Sequence, residues 1–230
     1  MPLSASPFPA PPRWTRLAGA VALLLALLFL GVAVALQGVR ADLHWQQATL
    51  SQYLHGPGGL LLRTVYVLLA AGVVALAAGL YAQAPPHARS GAPVLLFGGA
   101  AVGLCGVAIG DSYLPQYSPL LAPLVHGLCA QTAFVCVTTA MLLQSAWLRR
   151  QAAWRRRAGP LSLLAVLAFA ALWGQVLWRV PPRGLTQKLT IVLILAWLVP
   201  VAYRVWRPAP AAAAQSRDNG AVFPLQDSAS

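Results

Sequence analysis

The residues able to do chemistry in this 230-residue sequence are few, and they lie at the margins of apolar runs. His126 sits about six residues inside the run 120–144, roughly 9 Å below its end at a helical rise of 1.5 Å per residue. Asp111 follows the run 93–110. Arg63 lies in the first turn of the run 60–81, and Gln187 and Lys188 lead into the run 189–206. Ser51 and His55 precede the second run. An ionisable group at membrane depth is costly, so each such residue raises a functional hypothesis. With runs alternating in direction, these groups collect on one side. They define a candidate polar pocket of Ser51, His55, Arg63, Asp111, His126, Gln187 and Lys188.

Three chemistries suit that set. His55, Asp111 and His126 are the candidate ligands of a divalent metal, although no helical His pair at four-residue spacing supports them. Ser51 with His126 has the residue types of a nucleophile and its base, without a motif around them. A surplus of basic groups on the same side favours an anionic ligand, such as a phospholipid head group. No cofactor is predicted. A bis-His haem would need a second His at the depth of His126, but His44 and His55 lie in a loop and His87 lies on the opposite side. A GxSxG elbow, a Walker loop and a dinucleotide fingerprint are all missing. The structural alternative is that Arg63 and Lys188 only snorkel to lipid phosphates. Asp111 would then pair with one of them, and His126 would be a hydrogen-bonded packing residue.

The elements that must position these groups follow from composition. The chain is 59% hydrophobic and 9% charged, with a mean hydropathy of +0.68. A soluble domain carries about 25% charged residues, and four acids cannot dress a soluble surface. A soluble enzyme, a disulfide scaffold and a disordered regulator are excluded. Six runs, 17–36, 60–81, 93–110, 120–144, 160–178 and 189–206, are near the roughly 20 residues that a span needs. The predicted fold is all-α: a six-helix transmembrane bundle over residues 17–206 with short loops. Residues 1–16 and 207–230 are predicted to be disordered cytoplasmic tails.

The net charge of +12 reads as a topology signal and not as nucleic-acid binding. With the N-terminus inside, eleven Lys and Arg fall on the cytoplasmic side and five outside. Arg149, Arg150, Arg155, Arg156 and Arg157 crowd one short loop and decide the count. Both termini are predicted to be cytoplasmic in a bacterial inner membrane, which places the polar pocket at the outer leaflet. Arg13, Arg16 and the stretch Ala33-Val34-Ala35 also resemble a signal peptide, but the apolar run is longer than the usual h-region and favours an uncleaved anchor.

Gly99 with Gly103, and Gly106 with Gly110, form two GxxxG pairs, and Ala71, Ala75 and Gly79 extend the theme in the second run. Such spacing lets helix backbones approach closely. It predicts a tight bundle with the third run at its centre, and it also suits association of two copies. Cys105, Cys129 and Cys136 sit in apolar runs as small packing residues. In the first outer loop Val39, Leu43, Leu50 and Leu54 recur near helical spacing, beside Trp45 and Tyr53. They predict an amphipathic stretch lying in the membrane interface, as a lid or as a plain connector.

Three ordered stretches carry a family resemblance. They are the segment from Leu50 to Gly59 (LSQYLHGPGG), Gly110-Asp111-Ser112-Tyr113 followed by His126-Gly127, and the segment from Gly184 to Leu189 (GLTQKL) leading to Ala196-Trp197-Leu198. In this order the chain resembles the bacterial integral membrane proteins grouped as "domain of unknown function 998", over roughly residues 15 to 206. The resemblance implies a helical membrane bundle in which Asp111, His126 and Lys188 belong to a shared pattern. It implies no activity. Two departures stand out: Ile109-Gly110 where members often have Phe-Pro, and Lys188 where they often have Arg. A Lys keeps the charge but loses the planar fork that grips a carboxylate or phosphate in two places.

Three functions fit these residues. One is a non-enzymatic membrane protein binding a lipid or small anionic ligand at the outer leaflet. The second is an intramembrane hydrolase or lipid-modifying enzyme using His126 and Asp111. The third is a small transporter, for which no internal repeat and no pair of interrupted helices speaks.

Overall fold

The computed structural model describes residues 12–178 and 182–207, apart from the side chains of residues 111–114 and 152. Six long helices account for most of them: α1 (Arg13–Val39), α2 (Gly59–Gln83), α3 (Ala92–Tyr117), α4 (Ala122–Arg149), α5 (Arg155–Leu177) and α6 (Arg183–Trp206). Each contains an apolar segment of 19 to 28 residues, long enough to cross a membrane. Helix is the form this composition demands, because lipid offers no hydrogen bonds to an open backbone. Buried hydroxyls obey the same rule. Thr138 donates to the Phe134 carbonyl at 2.8 Å, and Thr190 to the Thr186 carbonyl at 3.1 Å. The protein is a multi-pass membrane protein.

All six predicted spans are helices, most with longer ends, although α4 starts two residues later, at Ala122, and α5 stops one residue earlier, at Leu177. α1 begins at Arg13, so the last residues of the predicted N-terminal tail are helical. Residues 1–11 and 208–230 lie outside the described residues. α3 runs past Gly110 to Tyr117. α6 continues through Pro200 to Trp206.

The helices form a ring in chain order, each packed on its sequence neighbours, and α6 closes the ring on α1. α2 and α4 also approach α6 across the middle. The expectation of a central third helix is therefore corrected: α3 packs on α2 and α4 at one flank. Its glycine stripe specifies one close neighbour and not a central place. A Cβ at Gly103 would lie 2.6 Å from the Cys129 carbonyl oxygen and 2.7 Å from the Ala133 nitrogen. One at Gly106 would lie 2.5 Å from the Cys129 sulfur, and one at Gly99 would lie 3.1 Å from that of Cys136. These glycines are thus occupied by α4 of the same chain, and Cys129 and Cys136 fill the gaps they leave. A similar approach at Gly19, whose Cβ would meet the Trp206 nitrogen at 2.5 Å, joins the start of α1 to the end of α6.

At the opposite end, called distal here, lies the α1–α2 loop. It folds inward as a cap. Leu50, Tyr53 and Leu54, on a 3-10 helix at Leu50–Leu54, are all buried, whereas Val39 ends α1 in the open. The reason is backbone satisfaction. The Leu185 N–H donates to the Gln46 carbonyl at 2.9 Å, and the Leu50 N–H to the Gln187 side-chain oxygen at 2.8 Å. Lys188 donates to the Trp45 carbonyl. Gly184 admits the contact, since a Cβ there would lie 2.4 Å from the Ala48 carbonyl oxygen.

Candidate functional site

Arg40 clasps the cap. Its guanidinium donates to both Asp42 oxygens, each at 2.7 Å, and to the His55 carbonyl at 2.6 Å. It also stands 5.9 Å from the centre of the Tyr53 ring. One side chain thus ties the two ends of the loop over a buried aromatic. The hydrogen bonds from Arg40 hold the Asp42 carboxyl below its ordinary value of 3.8. Burial pushes the Tyr53 hydroxyl above its ordinary value of 10.0. A carboxyl whose pKa is lowered on folding stabilises the fold above its ordinary pKa, and that stability fades as pH falls through the lowered value. The clasp is therefore expected to hold at neutral pH and to weaken only below about pH 4. Amide hydrogen exchange across Leu50–Leu54 checks this. Arg40→Gln should speed exchange there already at neutral pH, and unchanged protection would contradict the clasp.

Beneath the cap lies a narrow slot of about 70 Å3 between α2, α3, α4 and α6. It exists because α3 and α6 face each other across the ring without close backbone packing. Its walls descend in layers. Near the top are Tyr66, Val107, Ala130 and Ile191; the middle has Leu69, Leu104, Phe134 and Leu195; the bottom has Val73, Ala100, Val137 and Leu198. Apart from Tyr66 on α2, its polar side chains are at the distal mouth: Ser51 from the cap, His126 from α4 and Gln187 from α6. Above that mouth opens a wider vestibule of about 610 Å3, lined by Ser51, Gln52, His55, His126 and the prolines Pro115, Pro119 and Pro123. Ser51 and His126 line both spaces and form the neck between them.

The predicted pocket residues divide accordingly. Ser51, His126 and Gln187 meet at the slot mouth, and His55 stands in the vestibule. Gln187 spends its carbonyl oxygen on the cap, so its amide group remains to meet a ligand. Lys188 lines neither space. It braces the cap through the Trp45 carbonyl, with its ammonium 5.3 Å from the centre of the Tyr53 ring. Arg63 also lines neither space, and its buried Nε has no hydrogen-bond partner among the described residues. Asp111 belongs to α3 by its backbone, but its side chain lies outside the described residues. Among the described residues no three His, Cys or acidic groups gather as metal ligands.

The electrostatics are milder than the raw charge count. Arg40 is neutralised by Asp42, and Lys188 is turned to a carbonyl and aromatic faces. The neck itself carries hydrogen-bonding groups on an otherwise apolar channel. Residues 23–204 match the family described as "Protein of unknown function (DUF998)". The chain belongs to this family. The matched stretch runs from α1 into α6 and so includes the slot, its neck and the cap. No curated protein and no solved structure matches the chain.

Sequence reasoning missed the slot and the Arg40 clasp. The clasp had a signal: Arg40 and Asp42 two residues apart, shortly before His55-Gly56. The slot had none. Its lining residues are ordinary apolar side chains, and helices apolar on every side do not reveal which face is unfilled.

Proposed function

We propose that the protein binds a lipid at the outer leaflet, with the polar head at Ser51, His126 and Gln187 and the chain in the slot. The observation that carries this reading is the shared neck: Ser51 and His126 line both an apolar slot and a wider vestibule to which Gln52 and His55 add polar groups. That is the shape of an amphiphile. The arginine distribution supports an outward-facing distal end.

Energetics support the division of labour. A chain moving from bilayer to slot gains little from the hydrophobic effect, because lipid tails are as apolar as leucine. Its gain is dispersion: lining atoms beside a void lack partners on one side, and a chain restores them. Selectivity must then come from the neck, where each hydrogen bond is worth about 1 kcal/mol.

Native mass spectrometry of the full chain, released gently from membranes, tests this reading. The wild type should retain one lipid, and His126→Ala should retain it about tenfold less, the effect of roughly 1.4 kcal/mol. Equal retention by the two, or a clean apo mass for the wild type, contradicts the reading. A metal lost in His126→Ala would favour a hydrolase instead.

A further inference from the structure

We infer that the neck selects an uncharged head group that presents an oxygen acceptor, such as an ester carbonyl, to the Gln187 amide nitrogen. This rests on the lipid reading above and adds the chemistry of the head to it. Two observations carry it.

The first is the direction in which Gln187 is held. A backbone N–H can only donate, so the Gln187 atom that meets the Leu50 N–H at 2.8 Å is its oxygen. The amide nitrogen takes the other side of the planar group, and the side chain lines the slot mouth. Bonds on either side keep it there. The Leu185 N–H donates to the Gln46 carbonyl at 2.9 Å, and Lys188 donates to the Trp45 carbonyl. The start of α6 is thus tied to the cap both before and after Gln187. The amide nitrogen has two N–H donors, and among the described residues it has no acceptor. A ligand oxygen supplies one. An ammonium head, which only donates, cannot.

The second is charge. Among the described residues no Lys or Arg lines the slot or the vestibule. The two cations of the cap are committed elsewhere, Arg40 to Asp42 and Lys188 to the Trp45 carbonyl. Bringing an ionised phosphate or carboxylate to the mouth of an apolar slot without a paired cation costs far more than bringing an uncharged carbonyl.

The two ends of one carboxamide therefore have separate duties: the oxygen holds the cap and the nitrogen reads the ligand. Gln187→Glu separates them. A carboxylate keeps an oxygen for the Leu50 N–H, a bond that favours its ionised form, and turns the donor at the slot mouth into an acceptor.

The test equilibrates the full chain in nanodiscs, at about pH 8 to keep the new carboxylate ionised, with methyl decanoate, decyl phosphate, decylammonium or decane. Bound probe, above that of empty nanodiscs, is extracted and quantified by mass spectrometry. The wild type should bind methyl decanoate, and each of the other probes about tenfold more weakly. Gln187→Glu should bind the ester at least about tenfold less, with amide exchange across Leu50–Leu54 unchanged. If exchange there quickens, the variant has lost the cap, and the order of probes on the wild type decides alone. Phosphate, ammonium or plain alkane bound as well as the ester, or ester binding unchanged in Gln187→Glu, overturns the inference and leaves the lipid reading standing. If no probe binds the wild type, the lipid reading itself falls.

Discussion

Gly103→Val is expected to force α3 away from α4 and to lower the thermal midpoint of the purified protein by roughly 10 °C, for a loss of about 3 kcal/mol. The neighbours of a side chain at this position are backbone atoms, the Cys129 carbonyl oxygen at 2.6 Å and the Ala133 nitrogen at 2.7 Å. A flexible side chain could swing aside, but a helix backbone cannot. The two helices must therefore separate along their whole contact, which also loosens Gly99 against Cys136 and Gly106 against Cys129. Gly98→Ala is the matched control on the same helix, since a Cβ at Gly98 meets nothing within 4 Å. That substitution should leave the midpoint unchanged or raise it slightly, as Ala is the better helix former. Thermal unfolding in mild detergent reads both. A Gly103→Val protein as stable as the control would refute the close α3–α4 contact.

The second large effect is on ligand retention. Ala130→Phe adds a ring to the α4 wall just below the His126 neck. The slot is narrow, so a ring there should close it and reduce lipid retention at least about tenfold, a change of more than 1.4 kcal/mol. Leu124→Phe carries the same new ring on an exposed face of α4 and should retain lipid like the wild type. Because Ala130→Phe fills empty space, its thermal midpoint should fall little or not at all. Loss of lipid with stability kept separates a binding role from a general packing defect. Retention equal to that of Leu124→Phe would mean that the bound lipid lies on the outside of the bundle.

Much of the fold is legible in the residues themselves. Six long apolar runs with so few charges leave only a helical bundle, and the glycine stripe of α3 announces a close neighbour. What it does not announce is which neighbour, because Gly99 and Gly103 fit any helix offering Cys or Ala opposite. The ring order, and with it the flanking place of α3, depends on all six interfaces at once. The packing of the α1–α2 loop likewise depends on partners far away in the sequence. Leu50 and Leu54 have the spacing of an interfacial helix, but the loop's polar backbone atoms find partners in α6 at Leu185, Gln187 and Lys188. Those long-range bonds pull it inward.

The site was half legible. Polar residues at membrane depth are conspicuous, and Ser51, His126 and Gln187 do meet at the slot mouth. Lys188 and Arg63 look similar in the sequence but stand outside the cavity. Alternation of helices fixes depth, whereas the face on which a residue points depends on helix rotation. The apolar slot was invisible, since Leu104, Ile191 and Leu195 resemble the lipid-facing leucines around them.

Photolabelling shows whether a lipid chain occupies the slot. A single-chain lipid carrying a diazirine in mid-chain would be irradiated with the full protein in nanodiscs, and the adducts mapped by mass spectrometry. Adducts are expected at Leu104, Phe134, Ile191 and Leu195, reduced by Ala130→Phe. Adducts confined to exposed positions such as Leu24, Leu95 and Leu163, unchanged by that substitution, would contradict that occupancy.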